Sequence, residues 1–334
     1  MKKILVTGAC GFIGSHLVEE LVKNNFKVKA LVYYNSRNSI GLLENLDKSI
    51  LKNIEIIFGD IKDGEFLIKN SKNIDVIINL AALIGIPYSY HAPKSYIDTN
   101  IYGSYNVLNA ARSNNIDHTI IISTSEVYGT AQEIPIKETH PLNAQSPYAA
   151  SKIGADQLAL SFNKSFGLPV SILRPFNTFG PRQSQRAIIP TIINQLVVNK
   201  NRILKLGNLS PTRDFTYVKD TVKAFTQAIK NKNKIVGQVF NIGNNFEISI
   251  KDILKIFKED FGYDFTVKID KQRVRKKGTE VERLYASSSK LKKIINWSPD
   301  YSGKSGFKKG LSETINWFKK NDISLNHRLN NYNI

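Results

Sequence analysis

The sequence predicts an α/β protein: a doubly wound parallel sheet followed by a smaller C-terminal α/β lobe. Three observations predict it. Short β-branched runs alternate with longer helical patterns as far as about residue 174. Each run is apolar nearly throughout, as in strands covered by helices on both faces. A glycine-spaced turn joins the first run directly to the first helix.

Taken in order, strands are expected at 3–7, 28–32, 54–58, 76–79, 119–123 and 170–174, with the clearest helices at 13–24, 96–114 and 147–166. This alternation implies right-handed βαβ units. Beyond residue 174 the pattern loosens. Helical stretches at 188–199, 218–231, 250–261 and 305–321 mix with isolated strands at 239–242 and 265–269. The expected division is 1–176 for the first unit, with 215–240 returning to it, and 177–214 plus 241–330 for the second lobe. Residues from about 326 read as a polar tail.

The 334 residues are enough to bury a core without disulfide or metal. The single cysteine, Cys10, excludes a disulfide framework and a cysteine-rich zinc site. None of the five histidines shows metal-ligand spacing, so no metal is expected. The longest apolar stretch, 76–86, is interrupted by Asn79 and falls short of the ~20 residues that span a bilayer. No targeting segment is read at Met1-Lys2-Lys3, so a cytoplasmic protein without a membrane partner is expected. The formal charge of +19 admits a polyanion partner or a lysine-rich solvated surface.

The turn after the first strand reads Thr7-Gly8-Ala9-Cys10-Gly11-Phe12-Ile13-Gly14. Gly8, Gly11 and Gly14 permit a tight turn and close backbone approach, and a helix opening at Phe12 and Ile13 offers N–H groups to a pyrophosphate. In this context the turn predicts a Rossmann-type dinucleotide site. The usual partner of the adenosine ribose is an acid about 20 residues on. Here the second strand ends in Asn35-Ser36-Arg37, which suits a 2′-phosphate, so the expected cofactor is NAD or NADP with a lean to NADP. Asp60, with Ile61 beside it, is a candidate for the adenine amine, or else a helix cap. Leu80, Ala81 and Ala82 supply small residues where a nicotinamide would pass.

Two further motifs converge on that side of the sheet: Ser123-Thr124-Ser125-Glu126-Val127-Tyr128-Gly129, and Tyr148 with Lys152 on the next helix. Tyr and Lys four apart share a helix face. An ammonium beside a phenol favours phenolate, so Tyr148 is expected to titrate lower than usual. A phenolate can take a proton from a sugar hydroxyl while hydride leaves the same carbon.

With these motifs the chain resembles the extended short-chain dehydrogenase/reductases, specifically the nucleotide-sugar epimerase/dehydratase family. The stretches 82–90, 174–183 and 189–193 look like the N-acetylglucosamine-nucleotide 4,6-dehydratases of legionaminic-acid biosynthesis. The resemblance implies a lyase with tightly bound NAD(P), regenerated each cycle. Tyr148 would abstract the C4 hydroxyl proton, Lys152 would tune it and Thr124 would hold the C4 oxygen. Hydride would pass from C4 to C6 through the cofactor, while Glu126 removes the C5 proton and water leaves C6. Glucose 4,6-dehydratases have an acid where this chain has Ser125. Thr-Ser-Glu instead resembles the GDP-mannose 4,6-dehydratases, and also occurs in UDP-glucuronate decarboxylases. UDP against GDP stays open, as do a 4-epimerase or decarboxylase of the same fold, and a non-catalytic cofactor-binding protein with a basic nucleic-acid-binding surface.

The resemblance also makes Asn177 a substrate-diphosphate ligand and Asn100 a structural asparagine. Arg213 and Arg275 are candidates for the same diphosphate because guanidinium forks match phosphate oxygens, with Arg182 and Arg186 weaker ones. His16 reads as packing, and Cys10 as small filler in the loop. A homodimer through helices near 96–114 and 147–166 is implied. The intact Thr124, Glu126, Tyr148 and Lys152 set argues against a nucleic-acid partner.

Overall fold

The computed structural model describes residues 1–274, 278 and 280–321. Among the described residues thirteen strands run in chain order: β1 Lys3–Thr7, β2 Lys27–Tyr33, β3 Ile54–Gly59, β4 Val76–Asn79, β5 His118–Ile122, β6 Val170–Pro175, β7 Asn177–Phe179, β8 Ile203–Leu206, β9 Thr212–Tyr217, β10 Val239–Ile242, β11 Glu247–Ser249, β12 Thr266–Ile269 and β13 Arg283–Leu284. Seven form one parallel sheet in the order β10-β6-β5-β4-β1-β2-β3. The order reverses between β1 and β4, where Ile4–Thr7 pair with Val76–Asn79. Open parallel sheets bind ligands in the crevice at such a point.

The continuous apolar character of the strands has a direct cause. Alternate residues feed two cores on opposite faces. Ile4, Val6, Val76, Ile78, Ile120 and Ile122 enter one. Leu5, Ile77, Ile121 and Ile172 enter the other. The first core continues into the second lobe, where Phe179, Phe215 and Phe307 pack ring against ring. After β6 the chain leaves the sheet and returns at β10, which pairs in parallel with β6. The intervening helix Val218–Lys230 packs on helix Phe12–Lys23. The second lobe holds short pairings: β11-β9-β13 with β7 on β9, and β8 with β12.

Two helices and five strands differ from the sequence expectation. The helix expected over 96–114 begins as a π-helical turn, Ile97–Tyr102, and becomes α-helical at Gly103–Ser113. The helix expected over 188–199 is α-helical at Ile188–Ile193 and π-helical at Asn194–Val198. Strands β7, β8, β9, β11 and β13 carry no periodic signal because they are short and pair with partners distant in sequence. Among the described residues no helix is long and apolar enough to cross a membrane.

The nucleotide-loop helix is tied to the second lobe. His16 Nε2 meets the Pro181 carbonyl at 2.9 Å, and Arg182 donates to Glu19 at 2.6 Å. Deeper in the sheet, His118 Nε2 meets Ser171 Oγ at 2.9 Å. Burial holds both imidazoles well below their ordinary value, at about 4. Below pH 6.5 the unfolded chain therefore takes up protons that the folded chain refuses. Stability is predicted to fall as pH drops from 6.5 toward 4, by up to about 3 kcal/mol per histidine. A melting temperature unchanged across that window would contradict this, and His118→Gln should flatten the slope.

Candidate active site

The glycine loop is shaped by backbone proximity. Gly8 has φ +66°, and a β-carbon there would lie 2.7 Å from the Ala81 nitrogen. A β-carbon on Gly14 would lie 2.2 Å from the Gly8 carbonyl oxygen. Helix Phe12–Lys23 starts from Gly11 with no side-chain cap. Its first N–H groups, at Phe12, Ile13 and Gly14, thus face the loop mouth as a donor set for an anion. Thr7 Oγ1 donates to Asn79 Oδ1 at 2.6 Å and accepts from the Ala81 amide at 3.2 Å, binding the ends of β1 and β4 together. This cradle fits a dinucleotide pyrophosphate, with Leu80, Ala81 and Ala82 following β4 beside it. Cys10 packs against the core edge, and its carbonyl accepts from the Leu42 amide.

Beyond β2, Asn35 is engaged in its own turn. Its Oδ1 accepts from the Arg37 and Ser39 amides, and its Nδ2 donates to the Tyr33 and Ser39 carbonyls. Ser36 and Arg37 are exposed. Asp60 accepts from the Lys62 amide at 2.9 Å, while the cap of helix Gly64–Asn70 is Asp63. Ile61 is buried, and its carbonyl is clamped by Asn106.

The tyrosine helix Pro147–Phe166 begins where Ser146 accepts from the Ala149 amide, and ends at Gly167 with φ +66°. Tyr148 and Lys152 are both buried on it. Burial raises the Tyr148 phenol above its ordinary value; a hydrogen bond with Thr124 pulls it down and the Glu126 carboxylate pushes it up. This differs from the sequence expectation of a lowered phenol. The physical reason is burial, together with the placement of Lys152, whose ammonium donates to the Ile122 carbonyl at 2.6 Å. Burial also lowers Lys152, to about 8, against the opposing pull of Asp156. Thr124 caps the short helix Ser125–Tyr128 by accepting from the Glu126 amide at 3.2 Å. Ser125 is buried and Glu126 half-buried. Thr124, Glu126 and Tyr148 thus meet beyond the end of β5.

Asn100 sits in the π-helical turn and fixes the adjoining loop. It accepts from the Leu83 amide and donates to the Leu83 carbonyl and to Ser151 Oγ. A residue the sequence reading missed lies here. Tyr96 donates to the Gly85 carbonyl and sets its ring edge-on to Tyr148, centroids 6.2 Å apart. Its position in the clear helical pattern gave no sign of this, because the π turn changes its phase.

A cleft of about 290 Å³ lies beside the sheet ends, lined among others by Pro87, Asn177, Arg186, Arg213, Arg273 and Glu280. Asn177 Oδ1 is buried and without a partner. Arg213 is buried and donates to Glu280 at 3.2 Å. Arg186 reaches toward Gly85, while Arg182 turns away to Glu19. Arg275 lies outside the described residues. Glu280 was also missed; a lone acid beside a basic run carries no periodic signal. Among the described residues no three His, Cys, Asp or Glu side chains gather to hold a metal.

A Rossmann sheet with a buried Tyr/Lys helix beside a capped Thr-Ser-Glu turn defines an extended short-chain dehydrogenase/reductase. The family model described as GDP-mannose 4,6 dehydratase matches residues 5–310. The chain belongs to this extended family of nucleotide-sugar dehydratases and epimerases. It is 34% identical to a putative UDP-glucose 4-epimerase of Methanocaldococcus jannaschii, covering 96% of this chain and 99% of that one. The dTDP-glucose 4,6-dehydratase of Streptomyces venezuelae, solved with NAD bound, superposes with TM-score 0.84 at 27% identity, covering 96% and 97%. The UDP-N-acetylglucosamine 4-epimerase of Methanobrevibacter ruminantium, in complex with UDP-N-acetylmuramic acid, gives TM-score 0.84 at 33% identity, covering 96% and 98%.

The loop geometry makes one prediction. Gly14→Ala should prevent the close approach of helix and loop and abolish dinucleotide retention, read as loss of cofactor absorbance or mass in purified protein. Retention at the parental level would show that the loop relaxes around a β-carbon.

Proposed function

We propose that this enzyme is a nucleotide-sugar 4,6-dehydratase acting on UDP- or GDP-N-acetylglucosamine. The observation that carries the reading is Glu126, a carboxylate held with Thr124 and felt electrostatically by Tyr148. An epimerase needs a proton shuttle at C4 and a rotating ketone, and gives a carboxylate there no task. A dehydratase needs a base at C5.

In this reading Tyr148 takes the C4 hydroxyl proton and Thr124 orients the C4 oxygen. Bound in the glycine cradle, the dinucleotide would accept the C4 hydride and return it at C6. The resulting ketone acidifies C5–H. Glu126 takes that proton and hands it to the departing C6 hydroxyl as the C6–O bond breaks, so that water leaves; the proton taken up by Tyr148 balances the one C5 regains when hydride reaches C6. Ser125 replaces the acid of the glucose enzymes, which leaves Glu126 to serve as both base and acid. Lys152 supplies positive charge beneath Tyr148. Asn177, Arg213 and Arg275 are assigned to the diphosphate, and for Arg213 this requires exchanging Glu280 for a phosphate oxygen.

NAD is the proposed cofactor, since a relative carries it, and of the Asn35-Ser36-Arg37 run behind the expectation of NADP, Asn35 is engaged in its own turn while Ser36 and Arg37 are exposed. Heat-released cofactor should have the mass of NAD; NADP would reverse the assignment. Cytoplasmic location and a role in legionaminic-acid synthesis belong to the same reading. So does a homodimer, supported by apolar exposure at Ile97, Tyr102, Tyr105 and Phe166 on the proposed helices. Light scattering should give twice the chain mass, and a monomer at micromolar concentration would exclude it.

The 4-epimerase reading keeps a place because two relatives carry that name. Incubation with UDP- and GDP-N-acetylglucosamine separates them. Loss of one water by mass spectrometry is expected, and C4 interconversion without mass loss would make the protein an epimerase. Glu126→Gln should reduce dehydration by ~10²-fold or more while cofactor stays bound. Full turnover in that variant would remove Glu126 from the role of base.

A further inference from the structure

We infer that Asp156 is a positioning residue for the tyrosine chemistry: it is the buried counter-ion that keeps Lys152 protonated beneath Tyr148. The inference rests on the reading of Tyr148 and Lys152 given above.

Tyr148, Lys152 and Asp156 recur every fourth residue and so share one face of helix Pro147–Phe166. Asp156 is fully buried, and Arg174 on β6 is buried beside it. One carboxylate oxygen, Oδ2, receives two hydrogen bonds, from Ser123 Oγ at 2.9 Å and Arg174 Nε at 3.0 Å, and has Arg174 Nη2 in ion-pair contact at 2.9 Å. The other, Oδ1, is buried without a hydrogen-bond partner. Arg174 is further fixed by donating to the Tyr128 hydroxyl at 2.9 Å, which donates to Asn241.

Arg174 is paired with this carboxylate, and Lys152, one helical turn away with its ammonium on the Ile122 carbonyl, feels it electrostatically. Among the described residues three acids are buried, Asp156, Asp214 and Asp220. Asp156 alone of these faces Lys152 and Arg174. The other groups around them are the Ile122 carbonyl on Lys152, Tyr128 on Arg174, Glu138 beyond Tyr128, Lys290 facing Arg174 and Glu138, and Glu126 on the far side of Tyr148. Burial raises the Asp156 carboxyl, while Arg174 and then Lys152 pull it back down. A guanidinium cannot give up its proton, and its Nε donor with Nη2 in close contact on one oxygen call for an anion there. A lysine taken out of water loses its proton unless an opposite charge holds it. Deleting Asp156 would leave two like charges together, and only Lys152 can relieve them by becoming neutral. A neutral Lys152 would leave no positive charge on the helix turn beneath Tyr148, while loss of the carboxylate would also remove the upward push that Asp156 exerts on the phenol. Ser123 directly precedes Thr124, so the same carboxylate also steadies the strand end that carries Thr124.

The rival is that Asp156 only anchors β6 to the helix. Nitrogen-15 NMR of lysine-labelled full-length protein separates the two without any substrate. Lys152 Nζ is assigned by its absence in Lys152→Met and titrated from neutral to alkaline pH. Asp156→Asn is expected to lower its midpoint by at least about one pH unit. Arg174→Gln, which removes the competing cation, should raise it, and provides the test if Asp156→Asn does not fold. An unchanged midpoint, or a shift of the opposite sign in either variant, overturns the inference. In the dehydration assay, Asp156→Asn should move the alkaline fall in rate to lower pH by the same interval. A uniform drop at every pH would mark Asp156 as structural only. Failure of the parent protein to dehydrate N-acetylglucosamine nucleotides would count against the proposed function and leave the NMR result to decide Asp156.

Discussion

The contact that organises this molecule is backbone against backbone: Gly8 on Leu80 and Ala81, with Gly14 on Gly8. No side chain larger than hydrogen fits at either glycine. This contact lies where the strand order reverses, so it sets the spacing between β1 and β4. From β4 the alignment passes sideways in register to β5 and then to β6. Thr124 follows β5 and Asn177 follows β6. The reactive groups therefore gather at one edge of the sheet because their strands are held parallel and level. Thr7, Asn79 and Ser104 carry the same constraint through hydrogen bonds into helix Gly103–Ser113.

The first half of the fold was legible because its physics is local and repetitive. Strands covered on both faces must be apolar throughout, and the helices between them must be amphipathic. The glycine loop and the Tyr148/Lys152 pair were legible for the same reason, since each works at fixed spacing on one element. The second lobe was less so. Its strands β7, β9 and β13 draw their identity from partners far away in sequence, as in the pairing of Thr212 with Arg283. Phase slips were invisible too. Nothing in Ile97-Asp98-Thr99-Asn100-Ile101-Tyr102 marks a π-helical turn, because the turn is held by Asn100 reaching to Leu83 and Ser151. The raised phenol of Tyr148 was missed because spacing reports neighbours along a helix and says nothing of burial.

The net charge of +19 divides in the structure into two populations. A few cations work in confined places: Lys152 and Arg174 in the sheet, Arg213 in the cleft. Many others sit at the surface beside acids, as in Lys94–Asp98, Lys255–Glu259 and Lys308–Asp260. Exposed pairs of this kind contribute little stability. Their value lies in solubility and in the net positive charge that keeps copies of the chain apart.

The π-helical turn at 97–102 makes the chain's length, and not only its composition, part of the site. A π turn holds one residue more than the α turn it replaces. Deleting a single residue there would let the helix close into a regular α-helix with its flanks near their present phase, because the surplus residue and the wide turn disappear together. What such a deletion would remove is the bulge itself, from which Asn100 reaches both Leu83 and Ser151. One residue deleted from the regular helix Gly103–Ser113 would instead turn everything before it by ~100° about the axis, carrying Tyr96 off Tyr148. Within one continuous helix, the same change in length therefore has opposite consequences on the two sides of Gly103.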